Sequence, residues 1–316
     1  MRLAIIDLGT NSVRFDIYDL SKDALRDRIY RDKRMIRLGD GAFYENRLQK
    51  QAMARTLRAF ESFHKKIKGY DVDKVIAFAT SALRDTTNSQ ALISEIQKRT
   101  GIHIRVISGR REAQFIAQGV LRNDALPHGL FGLMDIGGGS CEISICYGRT
   151  ALRSISLPLG ANRLQQIFLK SHPPRARGEI GDPVMKLRRH IRKSLARAIS
   201  EQRRPRIKTF IGSSGTIRAY RKILKTRGEK TEPFRLSSLT QLIEEMIPLT
   251  KAELMNIPGM TVKRADIILA GGILLEELAT QFDAKYIYTT DTCLRDGIIE
   301  RESQRFFMNY IDLLGV

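Results

Sequence analysis

Two short loops in this sequence combine a carboxylate, glycines and a hydroxyl group, the residue types that handle phosphate and a divalent cation. The segments Asp7-Leu8-Gly9-Thr10-Asn11-Ser12 and Asp135-Ile136-Gly137-Gly138-Gly139-Ser140 share the pattern Asp-x-Gly-x-x-Ser. Glycines let the backbone approach a phosphate closely, and successive N–H groups can form an anion-binding concavity. A carboxylate repels phosphate but suits a hard cation such as Mg²⁺. We therefore predict metal-associated roles for Asp7 and Asp135 and phosphate-binding loops, with two ordinary β-turns as the alternative.

Each loop lies between an apolar run and a segment of alternating apolar and polar residues, which predicts a strand, a tight turn and a second strand. This repetition indicates an internal duplication. Strands and helices alternate over the first part of the chain, as in a layered α/β domain. We predict two domains of similar construction, 1–124 with the C-terminal helix 302–316, and 125–301, each presenting one loop to a shared cleft.

The segment Thr80-Ser81-Ala82-Leu83-Arg84-Asp85 follows a buried-strand pattern. Ligands of α/β sheets commonly meet the loops at the carboxyl ends of strands. Arg84 is therefore either a bidentate phosphate contact or the partner of Asp85 in a surface ion pair.

Glu112 lies in the first turn of a helix predicted over 109–121. It is either part of a capping box with Ser108 or a general base that deprotonates an attacking water. The residue types alone favour the cap.

The charge balance is strongly positive: 54 Lys and Arg against 34 acidic residues give a net charge of +20 and a pI near 10.1. Such a field concentrates polyanions. The segment 163–208 holds 14 Lys and Arg against three acidic residues, and either a solvated helix face or a rail for a long polyanion explains it. The chain has no Trp and 7% aromatic residues, which argues against binding by base stacking.

Targeting and redox signals point to a soluble, cytoplasmic protein. The first apolar run meets Asp7 at once, too early for a signal peptide, and no stretch approaches a membrane span. Cys141, Cys146 and Cys293 show neither a disulfide framework nor metal-ligand spacing, so we expect a reducing compartment and no structural zinc.

Several further motifs complete a pattern. With the two loops, the segments 79–85, 107–113, 156–163, 212–216 and 257–268 resemble, in the same order, the motifs of the exopolyphosphatase / guanosine pentaphosphate phosphohydrolase (Ppx/GppA) family in its short, two-domain form. One position departs from the family pattern, because Arg111 stands where a second glutamate is usual, and this places the rate and the metal dependence in question.

The resemblance implies two ribonuclease-H-like domains of the actin/Hsp70/sugar-kinase type flanking an interdomain cleft. It implies hydrolysis of a terminal phosphoanhydride with Mg²⁺, with Mn²⁺ as an alternative. It assigns Glu112 as the catalytic base, reversing the preference for a cap, and Asp7 and Asp135 as metal-associated. Phosphate contacts are expected from Asn11, Ser12, Arg14, Arg84, Gly137, Gly138, Gly139 and Ser140.

The leading hypothesis is an exopolyphosphatase acting on inorganic polyphosphate, with guanosine pentaphosphate (pppGpp) as the alternative substrate. An ATP-dependent kinase of the same fold would need a purine pocket, for which 212–216 and Gly271-Gly272 are the candidate remnants. A polyphosphate- or nucleic-acid-binding regulator without turnover is the non-enzymatic alternative. We expect no membrane or nucleic-acid partner, and a homodimer stays open.

Overall fold

The computed structural model describes residues 1–20, 26–122, 125–174, 181–229 and 232–314. The chain forms two compact units, one of residues 1–119 and 294–316 and the other of residues 120–293. The boundaries predicted from sequence stood after residues 124 and 301. In the structure the first boundary lies after residue 119 and the second after residue 293. The second lies earlier than predicted because a single helix begins at Leu294 and belongs to unit 1 throughout.

Unit 1 contains a five-stranded sheet in the order β3-β2-β1-β4-β5. The strands are β1 (Arg2–Leu8), β2 (Ser12–Leu20), β3 (Arg26–Met35), β4 (Lys74–Ala79) and β5 (Ile104–Val106). The helices are α1 (Ala42–Glu45), α2 (Lys50–Gly69), α3 (Ser81–Arg84), α4 (Ser89–Thr100) and α5 (Gly109–Val120), with the last helix of the chain, α12 (Leu294–Leu314).

The hairpin predicted around Gly9 is confirmed: β1 pairs antiparallel with β2, with Asp7 opposite Arg14 and Leu8 opposite Val13. On its other side β1 pairs in parallel with β4, which pairs in parallel with β5. Every residue of β1 from Leu3 to Leu8 is buried, as a central strand covered on both faces requires. Helix α4 ends at Gly101, whose φ of 69° supplies the left-handed C-cap expected from the sequence.

Unit 2 contains a six-stranded sheet in the order β10-β11-β9-β6-β7-β8. The strands are β6 (Leu130–Ile136), β7 (Cys141–Tyr147), β8 (Thr150–Leu157), β9 (Thr209–Gly212), β10 (Phe234–Arg235) and β11 (Tyr286–Thr289). The helices are α6 (Ala161–Ile167), α7 (Pro183–Ala198), α8 (Gly215–Thr226), α9 (Leu236–Met246), α10 (Lys251–Asn256) and α11 (Ile268–Thr280), with 3-10 turns at Glu201–Arg203 and Val262–Arg264.

Local sequence signals explain the unit 2 helices that the sequence predicted. Asp182 caps α7 by accepting a hydrogen bond from the Val184 N–H, and Pro183 occupies the first helical position. Helix α10 begins with a capping box between Thr250 and Glu253. The apolar face of α7 joins the buried core of this unit.

The two sheets follow the same plan. In each, a first strand pairs antiparallel with the second, which pairs antiparallel with the third, and the first strand's other side pairs in parallel with later strands. This order confirms the two ribonuclease-H-like domains. The sequence reading missed β3, β8, α6, α8 and α9, while the loop predicted over 171–181 lies partly outside the described residues. Among the described helices, none combines the length and apolarity needed to cross a membrane.

Candidate active site

In unit 1, three loops meet at one edge of the sheet because β1, β4 and β5 are parallel neighbours. The Thr80 N–H donates to the carbonyl of Leu8 at 3.3 Å, and the Ile107 N–H donates to the carbonyl of Ala79 at 3.0 Å. The turn after β1, the segment after β4 and the segment that leads into α5 are thereby brought together. The unit 1 residues predicted for the site lie on the β1–β2 hairpin, at the end of α3 (Arg84) and in the first turn of α5 (Glu112).

The turn after β1 is held by its own hydrogen bonds. The Gly9 N–H donates to the carbonyl of Ser12 at 3.1 Å, and a Cβ at Gly9 would lie 3.2 Å from that oxygen. The hydroxyls of Thr10 and Ser81 are 3.0 Å apart, which ties the turn to the segment after β4. The carbonyl of Asn11 accepts from the N–H groups at 36 and 37. The turn thus presents a fixed backbone.

Asp7 and Arg14 face each other across the hairpin. Arg14 Nη1 lies 3.3 Å from Asp7 Oδ2, and the Asp7 side chain is 8% exposed while that of Arg14 is 24% exposed. An arginine held by a carboxylate and still open to solvent can turn toward an incoming anion. This arrangement suits both roles predicted from the sequence, a metal-associated carboxylate and a phosphate contact.

Glu112 and Arg84 form a second pair at the same edge. Arg84 Nη1 donates to Glu112 Oε2 at 3.2 Å and to the carbonyl of Ile107 at 3.1 Å. Arg84 Nε also lies 3.5 Å from Asp85 Oδ1, so the surface pair considered from the sequence is present as well. The Glu112 carboxylate is largely buried, with a side-chain exposure of 10%.

Ser108 caps α5, since its Oγ accepts from the Arg111 N–H at 3.3 Å. Glu112 follows one position after the residue that completes a capping box, and its side chain instead pairs with Arg84. The unusual Arg111 stacks on Phe115, with the guanidinium carbon 4.4 Å from the ring centroid, and donates to Gln114. Its described contacts therefore lie along α5.

The glycine loop of unit 2 repeats the geometry of the first loop. The Gly137 N–H donates to the carbonyl of Ser140 at 2.9 Å, and a Cβ at Gly137 would lie 3.2 Å from that oxygen. Asp135 Oδ2 accepts from Ser213 Oγ at 2.7 Å. The Ser213 N–H donates to the carbonyl of Met134 at 3.0 Å, the counterpart of the Thr80 bond in unit 1.

Helix α6 holds this second loop through hydrogen bonds to the carbonyl groups of the loop. The carbonyl of Gly138 accepts from the N–H groups of Asn162 and Arg163, and Arg163 Nε donates to the carbonyl of Gly139 at 2.7 Å. Gly160 allows the approach, because a Cβ there would lie 2.3 Å from the backbone of Gly138. Within the described part of the chain, the N–H groups of 138–140 donate no backbone hydrogen bond, as an anion-binding loop requires.

The sequence reading missed two buried charged residues beside Asp7. Arg295, in the first turn of α12, hydrogen-bonds to Asp16 of β2 and places its Nε 3.9 Å from Asp7 Oδ2. Asp16 is fully buried, and burial raises its pKa while the charges of Arg295 and Arg31 counteract that rise. The sequence shows that Arg295 is a charged residue in a predicted helix. It does not show that this position is buried, so the role of Arg295 could not be predicted from it.

The carboxylates of the candidate site suit a metal ion that takes few ligands from the protein. Among the described residues, no group of three or more His, Cys, Asp and Glu side chains is placed to enclose a metal. Mg²⁺ in phosphoryl-transfer sites is commonly held by one or two carboxylates together with water and substrate phosphates. Asp7 in unit 1 and Asp135 in unit 2 are each a single carboxylate of the kind that such an ion accepts. The three cysteines are free and buried, and burial raises the pKa of Cys141 well above its ordinary value.

The Lys and Arg residues over 188–197 of helix α7 fall into two groups, one paired with buried glutamates and one exposed. Arg188 and Arg192 are neutralised by buried Glu276 and Glu277 of α11, with Arg188 Nη1 2.9 Å from Glu277 Oε1. Hydrogen bonds from the two arginines outweigh the effect of burial and hold the pKa of Glu277 below its ordinary value. Three other basic side chains of α7 are exposed, form no ion pair with any described residue and recur every fourth position along one face: Arg189, Lys193 and Arg197.

The duplicated sheets, each with an Asp-Gly turn at the same strand edge, define a protein of the actin, Hsp70 and sugar-kinase class. The model of the Ppx/GppA phosphatase family matches residues 19–306. The chain therefore belongs to the Ppx/GppA phosphatase family, a family of hydrolases.

Individual relatives agree with this assignment. The chain is 26% identical to exopolyphosphatase 1 of Mycobacterium tuberculosis over 96% of its own length and 88% of that protein. It is 29% identical to a bifunctional 3-dehydroquinate synthase/phosphatase of Fusobacterium nucleatum, covering 44% of that protein. Among solved structures, an exopolyphosphatase from Cytophaga hutchinsonii matches 96% of this chain and 98% of its own at 27% identity, with a TM-score of 0.81.

Proposed function

We propose that this protein is an exopolyphosphatase that releases terminal orthophosphate from inorganic polyphosphate. The observation that carries the proposal is the ion pair of half-buried Arg84 with buried Glu112 at the same sheet edge as Asp7 and Arg14. A base, two cations and a carboxylate suited to a metal are what hydrolysis of a phosphoanhydride requires. The similarity to proteins named exopolyphosphatases supports the substrate class.

The pair of Arg84 and Glu112 suggests how substrate prepares the base. In the structure Arg84 Nη1 donates to Glu112 Oε2. An incoming phosphate with more negative charge competes for the guanidinium, because Arg binds phosphate oxygens in a bidentate manner. Once Arg84 turns to the phosphate, the Glu112 carboxylate is released to accept a hydrogen bond from water. The water is then deprotonated as its oxygen attacks the terminal phosphorus and the shortened chain leaves with the bridging oxygen.

Positioning and charge neutralisation carry the remaining catalysis. The N–H groups of 138–140 are available for phosphate oxygens, and Arg14 supplies a partly exposed cation. Asp7 and Asp135 are the carboxylates that would hold Mg²⁺, with Mn²⁺ as an alternative. Such an ion, when bound, would neutralise negative charge on the phosphates.

The exposed basic face of α7 favours a long polyanion over a nucleotide. Arg189, Lys193 and Arg197 have no acidic partner among the described residues, so their charge is available to a ligand. A chain of many phosphates can reach such a face, whereas pppGpp offers only short phosphate groups. The same catalytic residues would serve pppGpp, which stays the alternative substrate.

One observation in favour of the kinase alternative has another explanation. The glycines proposed as remnants of a purine pocket are occupied by packing, since a Cβ at Gly271 would lie 2.5 Å from Thr216 and one at Gly272 would lie 1.9 Å from the Tyr220 hydroxyl. These glycines allow α11 to pack against α8. They are therefore explained without a nucleotide.

Phosphate release from long polyphosphate, pppGpp and ATP, measured with and without Mg²⁺, tests the proposal. We expect polyphosphate to be the best substrate and Glu112→Gln to lower kcat by about 10² to 10⁴. The control is Glu95→Gln, which removes an exposed carboxylate of α4. Full activity in Glu112→Gln would contradict the mechanism, and transfer from ATP to an acceptor would favour the kinase.

A further inference from the structure

A row of alternating charges leads from the candidate site into the interior of unit 1. Arg14 lies 3.3 Å from Asp7, Asp7 lies 3.9 Å from Arg295 Nε, and Arg295 Nη1 hydrogen-bonds to Asp16. Arg31 closes the row, with its Nε 3.5 Å from Asp16 Oδ1. Arg295 is the one member of the row that contacts both carboxylates.

Stability alone does not account for this row. Arg295 is 5% exposed and Asp16 is fully buried, so both charges have lost most of their hydration. A buried ion pair commonly contributes no more stability than apolar residues of the same volume, because desolvation offsets the attraction. Two buried charges next to a site carboxylate therefore suggest a role in that site.

Arg295 differs from Arg14 in what it can do for Asp7. The Arg14 side chain is partly exposed, and the proposed function turns it toward phosphate. Arg295 is enclosed and held by Asp16, so it stays beside Asp7 when Arg14 turns away. A fixed cation 3.9 Å from Asp7 Oδ2 attracts that oxygen and so favours one orientation of the Asp7 carboxylate.

Helix α12 also contacts the helix that carries Glu112. A Cβ at Gly297 would lie 1.8 Å from the carbonyl oxygen of Phe115, so α12 packs directly on α5 there. Further along α12, the guanidinium of Arg301 lies 4.7 Å from the centroid of the Phe115 ring. The first turns of α12 thus fix Arg295 relative to both halves of the unit 1 site.

We propose that Arg295 is a positioning residue that orients the Asp7 carboxylate for metal-bound phosphate, and that Asp16 serves to hold Arg295 in place. This inference rests on the proposed function, because it gives Asp7 the metal-associated role. Residues that orient a metal ligand commonly change metal affinity or activity by about 10- to 100-fold when they are replaced.

Binding of Mn²⁺ in the presence of orthophosphate, measured by calorimetry without turnover, tests the inference. The variants are Arg295→Lys, which keeps the charge but loses the planar fork, and Asp16→Asn, which keeps the shape but loses the charge. We expect at least about tenfold weaker Mn²⁺ binding in both, with unchanged far-UV circular dichroism. In turnover, the KM for Mg²⁺ rises while the KM for polyphosphate stays near that of the wild type.

The matched control is Arg31→Met, which removes a second cation that pairs with Asp16 and leaves the pair of Arg295 and Asp7 in place. Its side chain is 53% exposed, and we expect Mn²⁺ affinity to change by less than about twofold. Equal losses in Arg31→Met and Arg295→Lys would overturn the inference, because they would show that the loss does not depend on a contact with Asp7.

The outcomes separate the inference from the proposed function. If the wild type neither binds Mn²⁺ nor releases phosphate, the proposed function fails and the inference fails with it. If the wild type does both while Arg295→Lys binds Mn²⁺ equally well, only the inference is overturned. Should Arg295→Lys not fold, Asp16→Asn decides by the same criterion.

Discussion

Replacing Gly160 by alanine tests the glycine loop of unit 2 without removing any polar group. The added Cβ would lie 2.3 Å from the carbonyl of Gly138 and from the Gly139 nitrogen. Normal contacts between such atoms are about 3.5 Å, so the loop or α6 must move by about 1 Å. If these N–H groups hold the reacting phosphate, a displacement of this size lowers kcat/KM by about 100-fold.

The assay is phosphate release from polyphosphate, combined with thermal unfolding to check that the variant is folded. The overpacking itself costs about 1 to 3 kcal/mol of stability, so the assay is run well below the unfolding transition. The matched control is Gly69→Ala at the end of α2, where an added Cβ meets nothing within 4 Å. A folded Gly160→Ala protein with unchanged kcat/KM would refute the assignment of the loop to phosphate binding.

Three further predictions concern charge. Arg84→Met should lower kcat/KM by about 100-fold and raise the KM for polyphosphate, because it removes a phosphate contact while leaving the base in place. Replacing the exposed basic face of α7 by serine (Arg189, Lys193 and Arg197 together) should weaken binding of long polyphosphate at low salt and reduce the salt dependence of KM. Glu302→Gln should destabilise unit 1 most at neutral pH, because contacts with Lys74 and Arg301 outweigh burial and hold the pKa of Glu302 below its ordinary value. A lowered folded-state pKa means that this stability is present above the unfolded-state value of about 4.3 and is lost as the pH falls further.

Each of these predictions has its own check. If Arg84→Met lowers kcat and leaves the KM for polyphosphate unchanged, Arg84 acts on the Glu112 base and not on the phosphate. For the α7 variant, hydrolysis of a short polyphosphate serves as the control, and equal losses for short and long chains would argue against a binding face. For Glu302, urea unfolding should show that the free energy of unfolding of the wild type exceeds that of Glu302→Gln by less at pH 3 than at pH 7. A difference that does not change with pH would contradict a lowered pKa of Glu302 in the folded state.

The sequence predicted the parts of the fold that depend on local patterns. Apolar runs, glycines and alternation were sufficient for the two hairpins, and Asp182 and Gly101 marked helix ends by their local chemistry. The basic edge strand β3 and the helices α8 and α9 were missed, because which of their faces is buried depends on the elements that pack against them.

The candidate site was predictable where its residues lie in motifs and not where it depends on contacts. Position in a motif brought out Arg84 and Glu112, but not the hydrogen bond between them across 28 residues. Gly160 reads as an ordinary loop glycine until the backbone of Gly138 is seen against it. Arg295 and Asp16 are 279 residues apart, so no local pattern links them.

The discontinuity of unit 1 has a consequence for synthesis on the ribosome. Residues 1–119 emerge before unit 2, and the helix that completes unit 1 emerges after it. Until that helix arrives, Asp16 lacks its buried cation and Phe115 lacks the surface that packs on it. Domains commonly fold as units during translation, and we expect unit 2 to do so while unit 1 waits. The helix Leu294–Leu314, synthesised after unit 2, thus completes the unit 1 site, so that Asp7 and Glu112 reach their final surroundings only after unit 2 has been made.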